Sequence, residues 1–338
     1  MQSNPGCALG ASRAQLVGLY PWLGDLLDRS EAAFSRAWDG HPGFLTRAAQ
    51  QVLAGRGKRL RPIALLLSAD SVGGATESSI AMASLVEIVH VASLIHDDVI
   101  DDALSRHGCR SAKDEWGNKV SVLLGDYLIA CALNLLPPDN DNHLLLGLSR
   151  VAARMCSGQI DELRAAGRRV SEREYLDVVV AKTGSLFSFA CQAGADTAGG
   201  SPEMQQALAA FGEGFGIAFQ LADDVLDLVG TDGRSGKSEG RDLAEGKWTL
   251  PLILTHELGD DAIRARLASL LDAGPASPSA RDAACEMARA TGAVDRSWAR
   301  VDTWLAHARS QLSAIPDSQA KQALLALAGN RFPMPVMT

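Results

Sequence analysis

The chain has 338 residues and carries a formal net charge of −8, from 32 Lys and Arg against 40 Asp and Glu. This acidic balance argues against a nucleic-acid partner, because a phosphate backbone is held by an excess of basic side chains. Apolar residues make up 47% of the sequence and aromatic residues only 5%. Ala and Leu dominate, which favours helices over sheets, and the length is ample for a sizeable buried core.

The cysteine pattern and the first residues indicate where the protein works. Its six cysteines are widely spread, with no C-x-x-C pair, so we expect reduced thiols and a cytoplasmic protein. The first residues lack the basic and apolar segments of a secretory signal. No uninterrupted apolar run reaches the ~18 residues of a membrane span, so we expect no transmembrane segment. We expect residues 1–12 to be loosely ordered and residues 13–332 to form one helical domain.

Long apolar segments with helical periodicity follow one another along the chain, separated by sparse turn signals rich in Gly and Pro. The four clearest segments span residues 80–102, 119–136, 175–194 and 205–229. Several are apolar nearly all round, which is typical of helices in the middle of a bundle. The pattern predicts an all-α protein.

The first basic segment of interest is Gly57-Lys58-Arg59-Leu60-Arg61-Pro62. Lys58 and Arg61 are three residues apart and would share a helical face, where Lys supplies a point charge and Arg a bidentate fork for phosphate oxygens. The alternative is a solvated surface, which is the more common reading of a basic run taken alone.

An aspartate motif, Asp97-Asp98-Val99-Ile100-Asp101, ends the first long apolar helix. Asp97 and Asp101 share one helical face, where like charges cost a helix about 0.2–0.5 kcal/mol. A hard cation supplies the reason, because Mg²⁺ takes one or two carboxylates and completes its shell with water and substrate phosphates. His90 lies two turns earlier on the same face and could point into the same cavity, although a lone His on an apolar helix is more often a core residue.

The motif recurs as Asp223-Asp224-Val225-Leu226-Asp227, again at the end of an apolar helix and preceded by Phe219-Gln220. A single occurrence could be an ordinary acidic helix end, but two argue against chance. Two acidic helix ends that face each other across a bundle would hold several metal ions and a diphosphate.

A glycine-rich segment with lysines, residues 230–251, follows the second motif. Such a segment can fold over phosphates through backbone N–H groups and ammonium charges, and its alternative is a merely flexible loop. It is not a P-loop, because residues 230–236 miss the spacing by one and the strand–loop–helix setting is absent.

Together these residues resemble the trans-isoprenyl diphosphate synthases, or polyprenyl synthetases, in their medium- and long-chain branch. The similarity runs from about residue 53 to 254 and covers five motifs in the family's order: the segment at Lys58, both aspartate motifs, Lys182-Thr183, and Lys237…Asp242…Lys247. The resemblance implies the isoprenoid synthase fold, an all-α domain of roughly ten or more helices around a central cavity, usually as a homodimer. It also implies a prenyltransferase that condenses an allylic diphosphate with isopentenyl diphosphate, head to tail.

The resemblance implies a role for each matched residue. Three Mg²⁺ ions would be bound by Asp97, Asp101 and Asp223, with Asp98 and Asp227 in support. Five catalytic residues would hold the allylic diphosphate (geranyl, farnesyl or geranylgeranyl): Arg106, Lys182, Gln220, Lys237 and Lys247. Thr183, next to Lys182, would bind the same substrate. Isopentenyl diphosphate would be held by Lys58, Arg61 and His90.

One departure from the family pattern concerns the residues after the first aspartate motif. The family usually has two arginines and a glycine there, and this chain has Arg106-His107-Gly108. His107 is a weaker and pH-dependent substitute for the second arginine, which puts efficient use of isopentenyl diphosphate in doubt. Arg110 is close enough in sequence to compensate.

Small residues precede the first aspartate motif at the positions that form the floor of the product tunnel in this family. These are Ala92 and Ser93, where short-chain members carry aromatic rings. The resemblance therefore predicts a product longer than fifteen carbons, and a shorter product from Ala92→Phe. Ordinary helix packing is the alternative reading of these small residues.

Two other functions stay open at this stage. A terpene cyclase of the same helical class would share an aspartate motif and Mg²⁺, but it would not need Lys58 and Arg61. A non-catalytic partner subunit of another synthase would be expected to lack metal aspartates, and only His107 supports that reading.

Overall fold

The computed structural model describes residues 12–37, 43–53, 57–106, 109–137, 142–230, 240–272 and 278–329. Within these ranges the chain forms seventeen α-helices: α1 (Arg13–Leu19), α2 (Pro21–Ala37), α3 (Phe44–Leu53), α4 (Leu60–Val72), α5 (Glu77–Ile100), α6 (Ala112–Trp116), α7 (Asn118–Ala132), α8 (His143–Ala165), α9 (Glu172–Val179), α10 (Ser185–Thr197), α11 (Pro202–Val229), α12 (Arg241–Ala244), α13 (Leu250–Leu258), α14 (Asp261–Asp272), α15 (Pro278–Ala290), α16 (Ala293–Gln311) and α17 (Gln319–Leu327). The prediction of an all-α fold is confirmed.

Short segments of other secondary structure join some of these helices. The 3₁₀ turns Leu133–Leu135 and Leu312–Ala314 follow α7 and α16, and a π-helical turn, Val180–Gly184, joins α9 to α10. Among the described residues the single sheet is a two-stranded antiparallel ribbon, in which β1 (Ser105–Arg106) pairs with β2 (Cys109–Arg110). The ribbon comes directly after the first aspartate motif.

The four long apolar segments predicted from periodicity are all helical, and their ends follow local capping rules. α5 begins at a capping box formed by Thr76 and Ser79. α11 begins after the N-cap Ser201, has Pro202 in its first turn, and ends at Gly230, whose φ of 82° breaks the helix. These boundaries determine where the aspartate motifs lie, because each motif occupies the last turns of a long buried helix.

The helix α10 lies in the middle of the bundle, packed between α4 and α11. Glycines permit the close approach on both sides. A Cβ at Gly194 would stand 2.2 Å from the Leu65 carbonyl oxygen of α4, and a Cβ at Gly212 would stand 2.4 Å from the Phe187 carbonyl oxygen of α10. The rings of Phe187 in α10 and Phe215 in α11 pack edge-on, with their centres 5.3 Å apart. Aromatic packing therefore fills the interface between these two helices.

One helix in the described part of the chain, α5, is long and apolar enough to cross a membrane by length and composition. However, 72% of its most apolar stretch is buried inside the protein. α5 packs against α4, α7 and α2, which accounts for its apolar surface as a core helix of the bundle.

The first and last helices of the described chain belong to the same bundle. α17 contacts α4, and α1 contacts α17 and α2. The single domain from residue 13 to 332 stays a prediction, and the expectation of loose order for residues 1–11 lies outside the described residues.

The contact between α10 and α11 gives a stability test. We expect Gly212→Ala to lower the free energy of unfolding by about 1–3 kcal/mol, because the new methyl group would push against backbone rather than a movable side chain. The matched control is Gly18→Ala in α1, where no atom lies within 4 Å of the added carbon. Urea unfolding followed by circular dichroism measures both. Equal stability of the two variants would contradict this account of the packing.

Candidate active site

The two aspartate motifs present their side chains in the same way. Asp98 and Asp224, the middle aspartate of each motif, are buried, with 3% and 5% of their surface exposed. The outer aspartates Asp97, Asp101, Asp223 and Asp227 are partly exposed. The helical repeat explains this pattern, since residues four apart share a face and the residue between them points elsewhere.

Arg241, the first residue of α12, joins the two motifs. Its guanidinium Nη2 donates to Asp101 Oδ2 at 3.2 Å, and its backbone N–H donates to Asp227 Oδ1 at 3.3 Å. The backbone N–H of Asp242 donates to the other carboxylate oxygen of Asp227 at 3.1 Å. The ends of α5 and α11 therefore meet at one site, and the start of α12 covers it.

Two of the predicted phosphate-binding lysines share the carboxylate of Glu162, and one of them also reaches Asp101. Lys182 lies in the π-helical turn, and its Nζ donates to Glu162 Oε2 of α8 at 2.6 Å. The Nζ of Lys247 lies 2.6 Å from Glu245, 3.5 Å from Asp101 and 3.7 Å from Glu162. Burial tends to lower the pKa of Lys247, but the surrounding carboxylates, led by Glu162 and Asp101, raise it above its ordinary value. Lys247 is therefore a fixed positive charge at neutral pH.

A chain of hydrogen bonds runs behind the second aspartate motif. The hydroxyl of Tyr175 donates to Asp224 Oδ2 at 2.5 Å, and Gln220 Nε2 donates to Asp224 Oδ1 at 2.7 Å. Thr183 Oγ1 donates to Gln220 Oε1 at 3.0 Å. Burial raises the pKa of Asp224 to about 7, while the hydrogen bonds from Tyr175 and Gln220 oppose that shift. Both ends of the Gln220 amide are thus engaged by protein groups, which fixes its orientation beside Lys182.

Two of the three residues predicted to hold isopentenyl diphosphate, Lys58 and Arg61, lie against aromatic rings. Lys58 Nζ is 5.5 Å from the centre of the Phe219 ring, and Arg61 Cζ is 4.5 Å from the centre of the Phe187 ring. Arg61 is 9% exposed, and burial lowers the pKa of its guanidinium to about 10. Within the described part of the chain its Nε has no hydrogen-bond partner. A buried donor without a partner is costly, so this nitrogen suits an incoming anion.

The two residues predicted to form the tunnel floor differ in their surroundings. Ala92 is completely buried, whereas Ser93 is partly exposed and its hydroxyl donates to the His90 carbonyl oxygen at 2.8 Å. On α5, Ser93 lies one turn from both His90 and Asp97, so these three residues share a face. Ser93 is therefore the better placed of the two to contact a substrate tail.

Three of the predicted residues are described only in part or lie outside the described ranges. Lys237 and His107 lie outside the described residues, and for Arg106 only the backbone is described, in β1. Arg110 is described, and its guanidinium donates to the Asp114 carboxylate at 2.5 Å and to the Asp114 carbonyl oxygen at 2.7 Å. Its charge is therefore engaged by Asp114.

The sequence analysis did not single out four residues of this site: Glu162, Tyr175, Arg241 and Glu245. Arg241 and Glu245 belong to the glycine-rich segment that was considered as a whole. For Glu162 and Tyr175 the sequence gives no signal, because their partners Lys182 and Asp224 lie 20 and 49 residues away.

The donor set fits Mg²⁺ that enters with a phosphate-bearing substrate. In the described ranges no three His, Cys, Asp or Glu side chains stand close enough together to hold a metal by themselves. The partly exposed Asp97, Asp101 and Asp223 nevertheless belong to the two motifs that Arg241 joins. Lys247 contacts Asp101, and Lys182 shares the neighbouring Glu162 with Lys247. Mg²⁺ needs only one or two protein carboxylates when phosphates and water supply its other ligands.

The hydrogen bond between Tyr175 and Asp224 can be tested by removing one oxygen. Tyr175→Phe leaves the buried Asp224 with one donor fewer, so we expect the free energy of unfolding to fall by about 1–3 kcal/mol. Tyr20→Phe, at the partly exposed end of α1, is the control and should change stability much less. Urea unfolding compares the two variants, and an unchanged Tyr175→Phe variant would argue against this bond.

Comparison with known proteins places the chain in one family. The family model described as polyprenyl synthetase matches residues 42–288. The chain is 34% identical to heptaprenyl diphosphate synthase component 2 of Geobacillus stearothermophilus, over 93% of this chain and 97% of the relative. It is 36% identical to nonaprenyl diphosphate synthase of Mycobacterium tuberculosis, over 80% and 81% of the two chains.

A solved structure shows the same fold. The polyprenyl synthase from Caulobacter crescentus CB15, complexed with calcium and isoprenyl diphosphate, superimposes with a TM-score of 0.86 and 30% identity, covering 97% of this chain and 98% of that one. The fold, the two facing aspartate motifs and the extent of the family match agree, and the chain belongs to the polyprenyl synthetase family.

Proposed function

We propose that this protein is a polyprenyl diphosphate synthase that joins an allylic diphosphate to isopentenyl diphosphate, head to tail, and makes a product longer than fifteen carbons. Membership of the family makes it a prenyltransferase that uses these two substrate classes. The observation that carries the proposal is the contact of Arg241 with both aspartate motifs, with Lys182 and Lys247 on the neighbouring carboxylates. One site thus offers carboxylates for a metal and ammonium groups for a diphosphate.

The allylic half of the reaction would take place between α5 and α11. Mg²⁺, on which the family depends and of which we expect three ions, would supply charge neutralisation for the diphosphate. Lys182 and Lys247 hold the diphosphate as its bond to the allylic carbon breaks, and they stabilise the negative charge that develops on the leaving oxygen. Arg106 and Lys237 complete this group by their match to the family motifs.

The second substrate would bind on the side of Lys58, Arg61 and His90. Arg61 supports this assignment, because its buried Nε lacks a hydrogen-bond partner among the described residues and its Cζ lies 4.5 Å from the centre of the Phe187 ring. The double bond of isopentenyl diphosphate attacks the allylic cation, a carbon–carbon bond forms, and a proton passes to the released diphosphate. Water must be kept out, because it would trap the cation.

We also propose a cytoplasmic protein that acts as a homodimer. Exposed apolar side chains on α7, including Val122 and Leu123 at 41% and 63% exposure, offer a surface for a second copy. One relative is named component 2 of its enzyme, so a second protein is the alternative partner. Size-exclusion chromatography with light scattering of the purified chain distinguishes a dimer from a monomer that waits for another component.

A product assay tests the proposed function. The purified protein would receive Mg²⁺, labelled isopentenyl diphosphate and geranyl, farnesyl or geranylgeranyl diphosphate in turn. We expect incorporation of label and a ladder of products that ends beyond fifteen carbons. A cyclised hydrocarbon would point to a terpene cyclase. The absence of any incorporation would point to a partner subunit that needs a second protein.

The metal assignment can be tested with adjacent aspartates. Asp101→Asn should lower kcat on the order of 100-fold, because it removes a charge that the metal–diphosphate complex needs. Asp102→Asn is the matched control: Asp102 is the next residue, 86% of its side chain is exposed, and Asn tolerates its positive φ of 54°. A chelator such as EDTA should abolish wild-type turnover, and added Mg²⁺ should restore it. Equal activity of the two variants would contradict the role of Asp101.

The tunnel floor can be tested with a pair of neighbouring substitutions. Ser93→Phe should shorten the product, because Ser93 shares its face with Asp97 and is partly exposed. Ala92→Phe, which the resemblance predicts to shorten the product, should also destabilise the protein by about 1–3 kcal/mol, because Ala92 is completely buried. Chromatography of the products and thermal unfolding read the two effects separately. Shortening by Ala92→Phe alone, with normal stability, would assign the floor to Ala92 instead.

A further inference from the structure

Arg59, between the two cationic residues Lys58 and Arg61, has an unusual backbone conformation. Its φ of 54° and ψ of 32° are left-handed, at the N-cap position of α4, and its side chain makes no capping hydrogen bond. The other non-glycine residues with positive φ in the described ranges are Asp102 and Asn142. Asp and Asn tolerate this region because their short side chains bond the local backbone, and Arg has no such advantage. Contacts elsewhere in the fold must therefore hold Arg59 in this conformation.

The side chain of Arg59 makes those contacts. It is 8% exposed, and its Nη1 donates to Glu87 Oε1 of α5 at 2.7 Å. Its Nη2 donates to the Leu53 carbonyl oxygen at the end of α3 at 2.5 Å, and its Nε donates to Glu31 Oε1 of α2 at 3.4 Å. Cζ lies 5.7 Å from the centre of the Phe34 ring, also in α2. One guanidinium thus ties the start of α4 to α2, α3 and α5.

Because of the left-handed turn at Arg59, the side chains of Lys58 and Arg61 point away from the Arg59 side chain. While Arg59 points towards α2 and α5, Lys58 lies against Phe219 of α11 and Arg61 against Phe187 of α10. Glu87, the partner of Arg59, is 3% exposed and lies one turn before His90 on α5. The pair therefore sets the position of Lys58 and Arg61 relative to the helix that carries His90.

We propose that Arg59 is a positioning residue for the isopentenyl diphosphate site, acting through its ion pair with Glu87. It does not itself touch the substrate. The left-handed turn that it stabilises directs Lys58 and Arg61 towards one anion, opposite His90. This inference rests on the proposed function, because it assumes that these three residues bind isopentenyl diphosphate.

The test separates positioning from simple stabilisation. A single loss of Arg59 would leave Glu87 as a buried, unpaired charge and could unfold the protein, so the main variant removes both charges, as Arg59→Leu with Glu87→Leu. Arg59→Lys keeps the charge but loses the fork of donors. Arg300→Lys, in the exposed Arg300–Glu172 pair, is the control.

Two readouts are needed, and each is measured with isopentenyl diphosphate as the probe. Isothermal titration calorimetry gives the Kd of the probe without turnover, and steady-state assays give KM for it and for the allylic substrate. We expect the double variant and Arg59→Lys to weaken the Kd and raise the KM for isopentenyl diphosphate about tenfold or more, because small displacements of binding groups are costly. The KM for the allylic substrate and all values for Arg300→Lys should stay close to wild type.

Specific results would overturn the inference. A double variant that binds isopentenyl diphosphate as wild type does would show that the pair only stabilises the fold. Equal increases in both KM values, or wild-type protein that does not bind the probe, would also contradict it. Wild-type protein that binds the probe but turns nothing over would instead refute the proposed synthase, while the effect of Arg59 on the Kd could still be read.

Discussion

Mutual repulsion among carboxylates is the constraint on which this site depends. Acidic side chains from α5, α8, α11 and the segment around α12 converge at one end of the bundle, where each charge disfavours the others. Three cations make that convergence possible. Lys182 contacts a carboxylate of a distant helix, whereas Arg241 and Lys247 each contact carboxylates from more than one part of the chain. The cations that balance these carboxylates include the two lysines proposed to hold a diphosphate. Binding of a metal–diphosphate would therefore exchange one set of ion pairs for another.

Rigid packing holds these charges at fixed distances. α10 is central because glycines let α4 and α11 approach its backbone closely, and the π-helical turn before α10 carries Lys182 and Thr183. π-helical turns are rare and occur often at functional sites, where they shift side chains relative to a regular helix. A Cβ at Gly158 of α8 would stand 2.7 Å from the Ala181 side chain in this turn, so the small residue brings α8, and with it Glu162, next to Lys182. Close helix packing and the ion pair thus depend on each other.

The two proposed substrate sites use cations in different ways. At the proposed allylic site Lys182 and Lys247 lie among carboxylates, which orient them. At the proposed isopentenyl diphosphate site Lys58 and Arg61 lie against the rings of Phe219 and Phe187, where burial lowers the pKa of Arg61 to about 10. The first pair is thus placed by charge pairing, and the second also by contact with aromatic rings.

The sequence by itself determined the helical class, the position of the four long helices and the presence of two aspartate motifs. Those features depend on spacing within one helix, where geometry fixes which residues share a face. Only the tertiary structure decided which partner each charge finds: Arg241 contacts Asp101 across 140 residues, and Tyr175 contacts Asp224 across 49. The tertiary structure also buries Ala92 and leaves Ser93 partly exposed, and it directs the Arg59 side chain away from those of Lys58 and Arg61. Periodicity cannot supply such facts, because they depend on how distant segments pack and on which buried charges must be neutralised.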